Sequence, residues 1–185
     1  MVISHPDLDH RGGLATLTKR YPIGELLVDN PALYQHALAC HATMDWEWEG
    51  VSLHFFALPE AMSSKNNRSC VLQIKTAQGS ILLTGDIERL AEEYLVAHYA
   101  ATLPSSVLLI PHHGSKTSST PEFVQTVAPD YAVVSYGAGN RYHFPHKVAM
   151  DVYQQLHIPV SATATHGCIE ITLPSHHKMS SPQNC

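Results

Sequence analysis

The sequence predicts a layered α/β fold, and three observations carry that reading. Apolar runs of strand length alternate with helix-length segments along the chain. Four of the predicted strands run directly into short loops rich in His, Asp and Gly. No apolar run approaches the roughly 18 residues a membrane span needs. The 185 residues suffice for one domain with a sizeable core, assigned here to 1–173. The stretch 174–185, SHHKMSSPQNC with the residue before it, reads as a C-terminal tail whose His176 and His177 are solvated.

Taken in order, VIS (2–4) is the end of a strand, LATLTKRY (14–21) a short helix and GELLVDN a strand. PALYQHALAC is predicted as a helix opened by Pro31, whose missing N–H costs nothing in a first turn. WEWEGVSLHFF (46–56) alternates and is rich in aromatic and branched residues, the pattern of a strand or hairpin. ALPEAMSSKNNRS is a polar loop, and CVLQIKTAQGSILLTGD a hairpin turning at Gln78-Gly79. IERLAEEYLVAHYA (87–100) is an amphipathic helix, with Leu90, Tyr94, Leu95 and Tyr99 near helical spacing. SSVLLIP is a buried strand, and Thr120-Pro121-Glu122 a helix start with an N-cap, a Pro and an acid in the first turn. DYAVVSYG is a strand, PHKVAMDVYQQLH a helix and PVSATATHGCIEITL a closing strand pair.

Composition narrows the function. Charged residues make up 15% of the chain and apolar ones 44%, which fits a globular protein. The net charge is −5 with only 11 Lys and Arg, so a broad electrostatic grip on nucleic acid is not expected. Cys40, Cys70, Cys168 and Cys185 show no CxxC spacing and read as buried thiols. Against this background, 14 His, several of them clustered, point to metal chemistry.

Four motifs carry that chemistry. SHPDLDHRGG (4–13) packs His5, Asp7, Asp9 and His10 behind a strand. Two imidazoles and two carboxylates exceed one closed tetrahedral site and suit two adjacent ions. LLTGD (82–86) pushes Asp86 out at a strand end, where it can bridge two cations. LLIPHHGS (108–115) ends a buried strand in His112 and His113, either of which is a candidate ligand, the second preferred. SYGAGNRYHFPH (135–146) places Asn140, Arg141, His143 and His146 in a Gly-containing loop. Loops at the ends of strands in an α/β layer form an active-site rim. Ser115, Lys116, Thr117 and Ser118 add one cation and several hydroxyl donors that suit a phosphate.

SHPDLDHRGG, NNRS, LLTGD, PHHGSKTS and NRYHFPH occur in the order, and at about the intervals, of the metallo-β-lactamase-like domain of the ComEC family, and the chain resembles it from Val2 to about Leu173. ComEC proteins are the membrane channels of bacterial DNA uptake in natural competence. The resemblance implies an αββα sandwich with a dinuclear metal site that hydrolyses phosphodiester bonds of DNA, single-stranded DNA being the expected partner. It implies metal ligation by His5, Asp7, Asp9, His10, Asp86 and His113, with Asp9 and Asp86 catalytic and Ser115, Lys116, Asn140 and Arg141 at the substrate. Asp7 stands where the wider superfamily has His, and Asn66 and Ser69 stand in the region of its missing middle His. Oxygen in place of imidazole hardens the site, so Mn²⁺ is favoured over Zn²⁺ or Mg²⁺. The same resemblance places the parent protein in the bacterial cytoplasmic membrane, joined to its channel portion, with this domain on the extracytoplasmic side.

Two other functions fit the same residues. One is hydrolysis of another ester class on the same fold; the other is a non-catalytic module that binds DNA or a partner. Only four residues precede His5, where such domains have several strands, so the expectation is a sandwich lacking its first strands, with an exposed sheet edge and poor solubility.

Overall fold

The structure is a computed structural model that describes residues 1–40 and 45–173; the predicted tail, with His176 and His177, lies outside the described residues. Two sheets form the framework. The first is small and parallel, with β2 (Leu26–Val28) between β1 (Val2–Ile3) and β3 (Ala37–Ala39). The second has seven strands in the order β10-β9-β8-β7-β6-β5-β4. Its antiparallel half is β4 (Trp46–Trp48), β5 (Val51–Phe56), β6 (Val71–Thr76) and β7 (Gly79–Leu83). From β7 onward the pairing is parallel through β8 (Val107–Leu109), β9 (Tyr131–Val134) and β10 (Val160–Ala162).

Strand pleating sends consecutive side chains to opposite faces, and this divides the apolar residues between two cores. Phe55 and Leu72 join Leu27 of the first sheet and Cys40, just past β3, in a cluster between the sheets. Their sequence neighbours Phe56 and Val71 join Leu82, Leu108 and Ala132 on the other face. That face is covered by α3 (Arg89–Tyr99), α4 (Pro121–Val127) and α5 (Lys147–Gln155), which contribute Leu95, Phe123, Val124, Val127 and Tyr153. The outer helical layer on the small sheet is thin: α1 (Leu8–Arg11) and α2 (Leu14–Arg20) bury no residue.

Three expectations are corrected. The segment 31–40 is not a helix; a single 3-10 turn at Pro31–Leu33, with the Asn30 side chain accepting from the Ala32 N–H, is followed by β3. Pairing beside β2 wins over local helical preference, because the parallel partner satisfies a whole row of backbone groups. The closing strand pair is one strand, β10, followed by α6 (Thr163–His166). Cys40, Cys70 and Cys168 are not buried thiols, and Cys185 lies outside the described residues. Cys40 and Cys70 form a disulfide with Cα atoms 5.7 Å apart, Cys168 is disulfide-bonded too, and no described cysteine is free.

The predicted face of α3 is also rotated. Leu90 is 52% exposed, while Ala91, Glu92 and Leu95 are buried. Glu92 is tolerated inside because its carboxylate accepts the Ser119 and Thr120 N–H groups at 2.6 and 2.8 Å. It thereby caps α4 from a neighbouring helix, where the Thr120 side chain makes no cap bond of its own.

Candidate metal centre

The strand ends build the centre. β1 delivers Ser4 and His5, β7 delivers Asp86, and β8 delivers His112 and His113, all at one end of the two sheets. The segment 4–11 does not continue as a strand. Asp7 stands at the N-cap of α1, so Asp9 and His10 project from a helical turn. Gly85 makes the turn before Asp86 possible. Its φ is +56°, and an added Cβ would sit 2.8 Å from the Ser69 Cβ and 2.9 Å from the Ser4 Cβ. His112 and His113 themselves hold positive φ values of 49° and 55°, an arrangement that costs energy and concentrates at functional sites.

Asp86 is the hub. Its carboxylate lies 3.3 Å from His10 Nε2, 3.6 Å from His5 Nε2, 3.7 Å from His113 Nε2 and 3.9 Å from His112 Nε2. His113 Nε2 is also 3.2 Å from Asp9 Oδ2 and 3.3 Å from His10 Nε2. Asp7 approaches from the other side, with Oδ2 3.6 Å from His5 Nε2 and Oδ1 bonded to the Lys65 ammonium. Ligand atoms around a tetrahedral ion at the usual metal–nitrogen distances stand about 3.3 Å apart, so these separations match a cation between them. Among the described residues two groups satisfy the geometry: His5, His10 and Asp86, and Asp9, His10 and His113.

The imidazoles are oriented through their far nitrogens. Ser4 Oγ lies 3.3 Å from His5 Nδ1 and 3.0 Å from His10 Nδ1. His113 Nδ1 donates to the Ser135 carbonyl at 2.6 Å. His112 Nδ1 faces Thr117 Oγ1 at 3.4 Å and Glu88 Oε1 at 3.5 Å. In a neutral ring whose Nδ1 carries the proton, Nε2 is a bare lone pair, and here all four Nε2 atoms turn toward Asp86. The fit to a metal is sharpest at His5, whose Nε2 is fully buried yet has no hydrogen-bond partner; such an atom is costly unless a cation satisfies it.

The electrostatics follow from this crowding. Burial pushes the His5 pKa down, more than the Asp86 charge raises it. Burial also acts against charge on His10, but the hydrogen bond and charge of Asp86 outweigh it and raise the pKa. For Asp86, burial raises the pKa while the His10 hydrogen bond and the charges of His10, His113 and His5 overcome it; the net shift is down. Asp7 is likewise held low, its burial being overcome by Lys65 and His5.

The structure thus brings together His5, Asp7, Asp9, His10, Asp86 and His113. The four residues expected at a substrate divide. Asn140 and Arg141 line the cleft over the centre, although Asn140 spends its side chain on Gly137 and Phe144. Ser115 is buried, with its hydroxyl on Thr117, and neither it nor Lys116 lines the cleft. The Lys116 N–H donates to His146 Nδ1, which keeps that imidazole away from the ligand cluster. Of the residues in the region of the superfamily's middle His, Ser69 Oγ accepts the Asp86 N–H at 3.2 Å. Ser4, Lys65, Glu88 and Ser135 escaped sequence reasoning, whereas His112, the second candidate beside His113, also turns its side chain to the centre. No local spacing marks Ser4, Lys65, Glu88 or Ser135, and only the His-His pair signalled His112.

Comparison with known proteins agrees with this geometry. The chain is 36% identical over 174 residues to competence protein ComA of Neisseria gonorrhoeae, covering 94% of this chain and 25% of that protein. It is 36% identical to recombination protein 2 of Haemophilus influenzae, covering 92% and 22%, and 32% identical to ComE operon protein 3 of Bacillus subtilis, covering 92% and 24%. The chain therefore spans about a quarter of the length of the curated relatives it matches. Among solved structures, the metallo-beta-lactamase fold protein YhfI of Bacillus subtilis superposes with a TM-score of 0.55 at 11% identity, over 87% of this chain and 72% of that one. CmlA, a diiron beta-hydroxylase of Streptomyces venezuelae, gives 0.56 at 14% identity, over 86% and 42%. Residues 1–138 match the metallo-beta-lactamase superfamily, and with the fold and the ligand cluster in place the chain belongs to that superfamily.

Proposed function

We propose that the chain is a metal-dependent phosphodiesterase domain that cuts DNA, preferably single-stranded, as part of a longer competence protein. The observation that carries this reading is the convergence of four imidazole Nε2 atoms on the Asp86 carboxylate with every Nδ1 engaged. Similarity to proteins named for competence and recombination supports DNA as the substrate. Divalent ions held by His5, Asp7, Asp9, His10, Asp86 and His113 would polarise a phosphoryl oxygen and ease deprotonation of water. The three carboxylates among the donors, where imidazole would make a softer site, support Mn²⁺.

The chain's own residues supply the rest of the hydrolysis. Asp9, more than half exposed and only 3.2 Å from His113 Nε2, orients a water molecule and takes its proton. The water oxygen bonds to phosphorus, the bond from phosphorus to the leaving sugar oxygen breaks, and that oxygen takes up a proton from solvent. Asp86, buried and held ionised, fixes the imidazoles around the reacting phosphate. The cysteines bear on location: a disulfide between Cys40 and Cys70 persists in an oxidising compartment, which supports the extracytoplasmic side of a bacterial membrane. Among the described residues no helix is long and apolar enough to cross one; in this reading membrane attachment comes through the channel portion of a parent protein.

The test is turnover of a single-stranded oligonucleotide, a simple phosphodiester and a lactone by metal-stripped protein reloaded with Mn²⁺ or Zn²⁺. Phosphodiester cleavage that is strongest with Mn²⁺ and vanishes in Asp86→Ala, with the far-UV spectrum retained, is expected. Lactone turnover alone would move the assignment to another ester class, and stoichiometric metal without turnover would make the chain a binding module.

A further inference from the structure

The cleft above the metal centre has a volume of about 860 Å³ and a mixed lining. Asp7, Leu8 and Asp9 contribute to it, and Leu8 is 78% exposed. The rest of the lining includes an aromatic series. Phe144 stacks on His113 with ring centroids 5.9 Å apart and planes 29° apart. Tyr142 stacks on Phe144 at 5.5 Å and 23°, and the Arg141 guanidinium lies 4.9 Å from the Tyr142 centroid while donating to its hydroxyl at 2.7 Å. A continuous ladder of flat groups therefore runs from a candidate metal ligand to the rim.

This ladder is fixed in place. Asn140 accepts the Phe144 N–H and donates to the Phe144 carbonyl, both at 2.9 Å, so the Phe144 backbone is clamped from within its own loop. Yet its outer member is open: Tyr142 is 55% exposed. An exposed tyrosine and an exposed leucine at the mouth of a cleft floored by His and Asp are unlike the polar rim that a small hydrophilic ester would need.

The geometry points to a nucleobase subsite: Tyr142, backed by Phe144 and sharing the cleft lining with Leu8, takes one unpaired base of a DNA strand whose phosphate lies at the metal centre, with the Arg141 guanidinium moving from the Tyr142 ring to a neighbouring phosphate. This rests on the phosphodiesterase reading and names what that site selects. The chain's charge supports it. With a net charge of −5 and only 11 Lys and Arg a broad electrostatic grip on the backbone is not expected, so stacking, to which every base offers a flat face, is the expected main source of affinity. A base inside a duplex is already stacked on both sides, so the subsite selects single strands.

The test reads binding in the metal-loaded wild-type chain, with strands whose backbone linkages are non-hydrolysable analogues so that no cleavage intervenes. A short single-stranded DNA carrying 2-aminopurine should lose fluorescence on binding, whereas the matched duplex and a strand abasic at that position should bind at least tenfold more weakly. Tyr142→Ala should weaken the base-containing strand about tenfold while leaving the abasic strand unchanged, and Tyr142→Phe should restore binding. Both positions are exposed, so these variants fold, and Leu8→Asn should give a smaller loss in the same direction. Equal binding of normal and abasic strands, or an unaffected Tyr142→Ala, overturns the subsite. Failure of the phosphodiesterase reading shows separately, as absence of cleavage of a simple phosphodiester by the metal-loaded chain.

Discussion

His10 Nε2 and His113 Nε2 lie 3.3 Å apart, although 103 positions separate the two residues. His113 Nδ1 already donates to the Ser135 carbonyl, so the neutral His113 ring presents a bare lone pair at Nε2. Ser4 Oγ can accept from His5, which leaves the buried His5 Nε2 bare as well, while His10, also beside Ser4 Oγ, directs its Nε2 to Asp86. Lone pairs aimed at one another and at a carboxylate are mutually repulsive until a cation stands among them.

Ser4 is therefore expected to govern metal affinity without contacting metal. Ser4→Ala keeps the Cβ and removes one hydroxyl that orients two ligands. Loss of such an outer partner typically costs 10- to 100-fold in affinity. Competition with a chelator measures it, and an unchanged affinity would remove Ser4 from the centre.

Gly85→Ala should damage both stability and the centre. The left-handed φ of +56° and Cβ approaches of 2.8 and 2.9 Å to Ser69 and Ser4 leave no room. Overpacking at such a site costs about 1–3 kcal/mol, with further strain from the positive φ. Urea denaturation should show the midpoint falling, and metal content should fall with it.

Glu92 should give the fold a pH dependence well away from the metal. Burial pushes its pKa up to about 7, against the ordinary 4.5, although the Thr120 and Ser119 hydrogen bonds resist. The folded state then holds a proton between those values that the unfolded chain has released. This contribution is complete below about pH 4.5 and is lost as pH rises through 7. Glu92→Gln should flatten that part of the stability profile while lowering its baseline, because one of the Ser119 and Thr120 N–H groups loses its acceptor. A slope that survives in Glu92→Gln would assign it to another group.

Reduction of the Cys40–Cys70 disulfide should lower stability by about 3–4 kcal/mol, from the chain entropy of a loop of 30 residues. The Cys70 N–H also donates to the Ser4 carbonyl at 2.8 Å, so metal affinity should fall together with the melting temperature. Comparing the oxidised protein with a Cys40→Ala, Cys70→Ala double variant, by calorimetry and metal titration, checks both effects.

What the sequence made legible was local. The strands before His5, Asp86 and His112 were readable because an apolar run, a turn residue and a ligand follow one another within a few positions. What stayed hidden depends on partners far along the chain. β3 was concealed because Pro31 and the apolar spacing after it suit a helix, while its pairing with β2 is a tertiary fact. The disulfide joins cysteines 30 positions apart with no spacing signature. Lys65 reaches Asp7 across 58 positions. Ser115 looked like a phosphate donor, but its loop folds inward and uses the hydroxyl on Thr117.

The sheet has a second end. β6 and β7 turn at Ala77-Gln78, and β4 and β5 turn at Glu49-Gly50, both remote from the strand termini that carry His5, Asp86 and His112. Gln78 is exposed, and nothing lies within 4 Å of where a Gly50 Cβ would stand. A fluorophore, an affinity handle or a surface tether fixed at these hairpins would leave the cleft open, so the molecule can be immobilised by its back and watched while strands come and go at its front.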